Sequence, residues 1–188
     1  MTPTKNNKSL FKRVAAAFRN ISERNLLLIL AVVTGLASGF AAVILKKLIE
    51  LIHHLLTSWF TTPGNYFLFL VYPGVGMLLA FLFVKYVIRD NIGHGVTKVL
   101  LAISKNESNI KGHNTWSSIL TSSVTIGFGG SVGAEAPIVY TGAALGSNIA
   151  RLHNLSYKNM TTLLGCGAAG AVAGIFKAPL AGVLFTLE

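Results

Sequence analysis

Charge is scarce in this chain, and negative charge most of all: only 12% of 188 residues are charged, and six Asp and Glu stand against sixteen Lys and Arg. With 52% hydrophobic residues and a mean hydropathy of +0.61, the composition falls outside the usual range for a soluble domain. There is one cysteine, Cys166, so an internal disulfide and a cysteine metal cluster are both excluded. Set among glycines and alanines, Cys166 reads as a small packing residue. His53 and His54 are adjacent and face different ways on a helix, which makes them a poor metal pair. No metal, cofactor or catalytic residue is therefore assigned. The net charge of +10 does not indicate nucleic acid, because the basic residues are not interleaved with aromatics on a polar face.

Apolar runs account for the composition. Residues 26–45 contain no charge, nor do residues 66–84. About 20 helical residues at 1.5 Å each cross a hydrocarbon layer of ~30 Å, so both runs read as spanning helices. The first is too long for a signal peptide. Its helical pattern continues through Lys46, Lys47 and Glu50 toward Leu56, with Trp59 at an interfacial end. Residues 61–65 form a turn cluster, and Pro73-Gly74 would kink the second span unless neighbouring helices satisfy the freed backbone groups. Arg89-Asp90-Asn91 ends it. Lys5, Lys8, Lys12, Arg13, Arg19 and Arg24 crowd the leader, residues 1–24, which the positive-inside tendency keeps in the cytoplasm. Leu10, Phe11, Val14 and Phe18 can share one helical face there, suiting a lipid surface; a solvated basic tail is the equal alternative.

Beyond residue 91, glycine punctuates shorter apolar segments. The pattern predicts helical pieces from Gly93-His94-Gly95-Val96 to Ser104, over 116–127, 138–149 and 160–176, and again from Leu180. Small-residue pairs at helical spacing recur: Gly35 with Gly39, Gly142 with Gly146, Gly170 with Gly174. Such pairs let helix backbones approach closely in lipid. The fold class expected is an all-α integral membrane protein.

One acidic residue stands apart. Glu135, within Gly133-Ala134-Glu135-Ala136-Pro137, is flanked on both sides by uncharged, glycine-rich sequence of membrane depth. A carboxylate there belongs to a cavity or pathway, since lipid would not solvate it. The alternative is a loop glutamate at headgroup level. Pro137 marks a helix start, which would leave N–H groups around residues 134–138 directed at the same space as the carboxylate. A helix N-terminus binds anions through such groups. The arrangement expected is an anion site that Glu135 occupies when ionised and vacates when protonated. Gly93-His94-Gly95-Val96 is a second glycine-framed helix start, by itself no more than an ordinary turn.

These motifs resemble those of the chloride channel (CLC) family. Gly133-Ala134-Glu135-Ala136-Pro137 is similar to the family's Gly-(Lys/Arg)-Glu-Gly-Pro. The stretch from Gly167-Ala168-Ala169-Gly170 to Lys177-Ala178-Pro179-Leu180-Ala181-Gly182-Val183-Leu184-Phe185 resembles its Gly/Ala-rich run ending in Asn-Ala-Pro-Leu-Ala-Gly-(Ile/Val)-Leu-Phe. Gly93-His94-Gly95-Val96 occupies the place of Gly-Ser-Gly-Ile-Pro. The resemblance covers residues 25–188 and implies the first of two inverted-topology halves, a CLC-type bundle of long tilted and short broken helices whose N-termini point at anions near the midplane. It implies a homodimeric chloride or small-anion channel, or a proton-coupled antiporter, in the plasma (inner) membrane, gated by Glu135. Gly93, His94, Gly95, Val96, Gly133, Ala134, Ala136 and Pro137 are then the anion-binding positions. Glu188 aligns with an acidic position near an inner proton-relaying glutamate. His94 stands at the place of the coordinating serine, Thr97 at that of the proline, Ala134 at that of the basic residue and Ala136 at that of a glycine. Two other classes fit less well. Gly129-Gly130-Ser131-Val132-Gly133 matches the Gly-x-Ser-x-Gly nucleophile pattern, but a hydrolase would need a preceding strand. A structural membrane protein without transport activity is the other alternative. The 188-residue chain alone is expected not to conduct.

Overall fold

The structure, a computed structural model, describes residues 22–59, 66–88 and 95–187. The leader up to residue 21, the turn cluster 61–65, Arg89-Asp90-Asn91, Gly93, His94 and Glu188 lie outside the described residues. Every regular element described is helical. In order these are α1 (Glu23–Trp59), α2 (Tyr66–Phe83) with a π-helical continuation (Val84–Ile88), α3 (Gly95–Lys105), α4 (Asn114–Gly127), α5 (Glu135–Leu152), α6 (Tyr157–Phe176) and α7 (Pro179–Leu187).

Three stretches are long and apolar enough to cross a membrane: Glu23–Ser58, Val71–Ile88 and Tyr157–Phe176. The chain is an integral membrane protein. At 1.5 Å per residue α1 is about 55 Å long, more than the hydrocarbon layer, so it must tilt or project into the interface. Its faces divide cleanly. Leu30, Thr34, Ser38, Ala41, Ala42 and Leu45 are buried, whereas Leu28, Val32, Leu36, Phe40 and Val43 are exposed. This is the distribution of a helix with protein on one side and acyl chains on the other. The Thr34 and Ser38 hydroxyls donate to the Leu30 and Thr34 carbonyls, at 2.7 Å each, so neither is buried without a partner. Helix α2 continues through Pro73 and is largely uncovered, with Val71, Val75, Met77, Leu78 and Phe81 all exposed.

α5 is the central helix; between Ile138 and Ala144 every residue is buried. It packs on α6, which packs in turn on α1 and α7. The expected glycine pairs build these seams. A Cβ on Gly142 would overlap the Gly167 carbonyl and stand 2.8 Å from the Ala171 methyl; one on Gly146 would overlap the Leu163 backbone. On the other face of α6, Gly170 lies against Gly35 and Ser38 of α1, and Gly174 against Gly39 and Ala42. In lipid, where apolar side chains gain nothing by leaving their solvent, such backbone contact is what holds helices together. At the end of the bundle where α5 ends and α6 begins, residues 106–113 are clamped down. Ser147 Oγ donates to the Ser108 carbonyl (2.7 Å) and accepts from the Ile110 N–H (3.0 Å), and Ser108 Oγ and Thr161 Oγ1 share a hydrogen bond of 2.7 Å.

Candidate functional site

The segment leading to Glu135 is folded tightly by glycines. α4 closes at Phe128, whose N–H donates to the Val124 carbonyl at 3.0 Å. Gly129 then takes φ +87°, a left-handed conformation that costs glycine nothing. Gly130 donates back to Thr125 O at 3.0 Å. The Phe128 ring sits where a side chain on Gly76 would be, so the segment is wedged against α2.

Helix α5 begins earlier than the sequence pattern suggests. Glu135 is its first residue, with Ala134 as N-cap, and the Ile138 N–H donates to the Ala134 carbonyl at 3.3 Å. This corrects the expectation of a loop around Glu135 and of N–H groups available throughout residues 134–138. Pro137 has no N–H and that of Ile138 is used, so the groups a helix start leaves without an intrahelical partner are those just before Pro137. Glu135 is exposed among the described residues, and its carboxylate folds back over Gly133, where a Cβ would overlap Oε2. A carboxylate in the first turn is favoured by the positive end of the helix dipole.

α3 brings a second helix start to the same place. Gly95, its first residue, is buried, and a Cβ there would overlap the Ala136 carbonyl and lie 3.2 Å from Tyr140 Cβ. Two helix N-termini from distant parts of the chain thus meet backbone to backbone beside Glu135. Of the positions expected at an anion site, the structure joins Gly95 to Ala136, with Gly133, Ala134 and Pro137 adjacent in the chain and Val96 exposed at the start of α3. At the far end of α5 and α6, a cavity of about 580 Å³ is lined by Tyr157, Thr161, Cys166 and, from the end of α7, Thr186 and Leu187. Cys166 therefore borders a cavity as well as packing.

Sequence reasoning did not single out the polar groups that support this junction. Asn114 Nδ2 donates to Tyr140 Oη at 2.9 Å, and Ser118 Oγ to the Pro137 carbonyl at 3.3 Å; Asn114, Ser118 and Tyr140 are all buried. The available signal was their occurrence as polar groups on apolar helices. Ser131 follows a helix rather than a strand, so the nucleophile pattern lacks its structural context; His153 sits at the opposite end of α5, its Nδ1 3.0 Å from the Ile149 carbonyl.

The family model described as voltage gated chloride channel matches residues 75–188, which includes both helix starts. The chain belongs to this CLC family. Among curated relatives, an uncharacterized protein of Methanocaldococcus jannaschii is 31% identical over 85% of the chain and 36% of its own length. The H(+)/Cl(-) exchange transporter ClcA of Vibrio parahaemolyticus is 28% identical over 86% of the chain and 36% of its own length. The crystal structure of a CLC-type fluoride/proton antiporter superposes with a TM-score of 0.71 at 28% identity, covering 88% of this chain and 40% of that one. The chain thus spans little more than a third of the length of these CLC relatives, and its all-helical fold is the one found there.

Proposed function

We propose that this chain is the N-terminal half of a CLC-type transmembrane domain that moves chloride or a similar small anion across a membrane, with Glu135 as the gate. The observation that carries the reading is the contact of Gly95 with Ala136, which puts two helix starts beside one carboxylate. Each helix start carries about half a positive charge and free N–H donors. An ionised Glu135 competes with a permeant anion for that positive end, and a protonated one leaves it open. The likeness to transporters named for proton exchange with chloride and with fluoride supports coupling to protons. Gly93, His94, Gly95, Val96, Gly133, Ala134, Ala136 and Pro137 are the proposed anion-binding positions, and Glu188 a proposed inner proton site. The basic leader supports a cytoplasmic N-terminus in the plasma (inner) membrane, and the family resemblance supports a homodimer.

The test is anion efflux from liposomes against pH, for the complete protein and its Glu135→Gln variant. Glu135→Gln should mimic the protonated state, giving efflux with a flattened pH profile and no proton coupling. A headgroup-level glutamate would tolerate the change, because an exposed charge in high dielectric contributes little. Identical pH profiles and identical coupling remove Glu135 from the gate.

A further inference from the structure

A groove of about 380 Å³ runs between α1 and α4, lined by Ala37, Phe40 and Leu48 of α1, Trp116 and Leu120 of α4, and Leu145 of α5. From Ala37 to Leu48 the helix rises about 16 Å, close to the ~15 Å of hydrocarbon in one leaflet of a bilayer. Phe40, Trp116 and Leu120 are exposed, and α1 lies within a stretch long and apolar enough to cross a membrane. The groove therefore opens on lipid. The Thr115 hydroxyl, also at its wall, is used locally, donating to the Gly112 carbonyl at 2.8 Å. Water would find few partners in such a space, whereas an acyl chain gains dispersion contact along its whole length.

A fixed cation stands at one end of this groove. Gly112, which holds Thr115, lies against Asn148, since a Cβ on the glycine would be 3.6 Å from Asn148 Oδ1. Arg151 Nη2 donates to that same oxygen at 2.6 Å, and Nη1 donates to Asn109 Oδ1 at 2.8 Å. Asn148 is itself pinned, its Nδ2 donating to the Ala144 carbonyl at 2.7 Å. Both partners are neutral amides, which orient the exposed guanidinium without cancelling its charge. A guanidinium carries five donors in a planar fork that suits phosphate. Ala150 shares a buried cluster with Leu30 of α1, which puts Arg151 about 10 Å along α1 from the level of Ala37. The headgroup layer on one side of a bilayer is ~5–8 Å deep, and the length of the arginine side chain covers the difference. We infer that the groove binds an anionic phospholipid, with one acyl chain lying between α1 and α4 and the phosphate on Arg151. Trp116 suits that arrangement, because indole rings rest at headgroup level. The inference needs only the membrane placement of the chain and is independent of the anion-transport reading.

The experiment reconstitutes the complete protein in liposomes containing a small fraction of phosphatidylglycerol, or of phosphatidylcholine, that carries a photoactivatable diazirine in the same acyl chain. After illumination, adducts are mapped by mass spectrometry of the digested protein. Adducts on residues 37–48 and 115–120 should favour phosphatidylglycerol over phosphatidylcholine by about fivefold more than adducts elsewhere in the protein do, the preference that one interfacial cation confers. Arg151→Gln should abolish that excess while phosphatidylcholine adducts in the groove persist, which shows the groove itself to be intact. Arg151→Lys should retain most of the excess. Ala37→Phe, which fills the groove, should remove groove adducts from both lipids and leave those elsewhere unchanged. Groove adducts with the same headgroup ratio as the rest of the protein mean bulk lipid only and overturn the inference. So does an unchanged ratio in Arg151→Gln. Absence of groove adducts in the wild type, as when another part of the complete protein covers α1 and α4, overturns it as well.

Discussion

Replacing Gly142 by alanine inserts one methyl group into the seam between α5 and α6. The new Cβ would stand 2.8 Å from both the Ala171 methyl and the Gly167 carbonyl carbon, and would overlap the Gly167 carbonyl oxygen. Carbon atoms rest about 3.5–4.0 Å apart, so the helices must separate by about 1 Å at this level. The obstacle is backbone and cannot swing aside as a long side chain would. A gap of that size forfeits roughly a quarter to a half of the dispersion attraction at each contact it opens, and overpacking of this kind costs about 1–3 kcal/mol. Alanine's better helix propensity returns up to about 1 kcal/mol, which leaves a net loss of up to about 2 kcal/mol. Gly35→Ala is the matched control, because a Cβ there meets nothing within 4 Å. Only the propensity term acts, so that variant should be unchanged or more stable by up to about 1 kcal/mol. The assay is unfolding of the purified protein in mixed dodecylmaltoside and SDS micelles, followed by circular dichroism. Gly142→Ala should unfold at a clearly lower SDS fraction than Gly35→Ala. Equal midpoints, or the reverse order, would refute the claim that backbone contact between α5 and α6 holds the bundle.

Lys177, which ends α6, takes φ 56°, a left-handed conformation that disfavours side chains other than glycine and asparagine. Lys177→Gly or Lys177→Asn should therefore raise stability by about 1 kcal/mol, read as a melting temperature a few degrees higher; no rise would show that the strain is relieved elsewhere. Ser147→Ala strands the Ile110 N–H and the Ser108 carbonyl, both otherwise satisfied by one buried hydroxyl. A cost of about 1–3 kcal/mol is expected, together with faster tryptic cutting at Lys105 and Lys111, and unchanged proteolysis would show that residues 106–113 do not depend on this clamp.

The long apolar helices were legible in the sequence because spanning a bilayer is a one-dimensional requirement: enough consecutive apolar residues, each satisfying its backbone within its own helix. α1 accordingly runs unbroken from Glu23 to Trp59, through Lys46 and Lys47 as the pattern suggested. Glu135 was legible for the same reason, as a lone carboxylate in sequence that should not carry one. The start of α5 was misplaced because a glycine-rich run followed by proline looks like a loop. Proline is tolerated anywhere in a first turn, where its missing N–H has no partner to lose. Once Ala134 adopts helical φ and ψ, the helix can begin at Glu135.

By itself the sequence determined that the chain is helical and membrane-embedded, that small residues recur at one-turn spacing, and that a single carboxylate interrupts an apolar region. Tertiary structure alone decided which small residues meet: Gly142 with Gly167, Gly170 with Gly35, and Gly95 with the backbone of Ala136. It also decided that Asn114, Tyr140 and Lys98, unremarkable in three separate segments, share one junction. The physical reason is that a periodic pattern specifies which face of a helix can be approached but not what approaches it. That choice is made by shape, because backbones come into contact where a glycine on one helix leaves the room that a Cβ would fill.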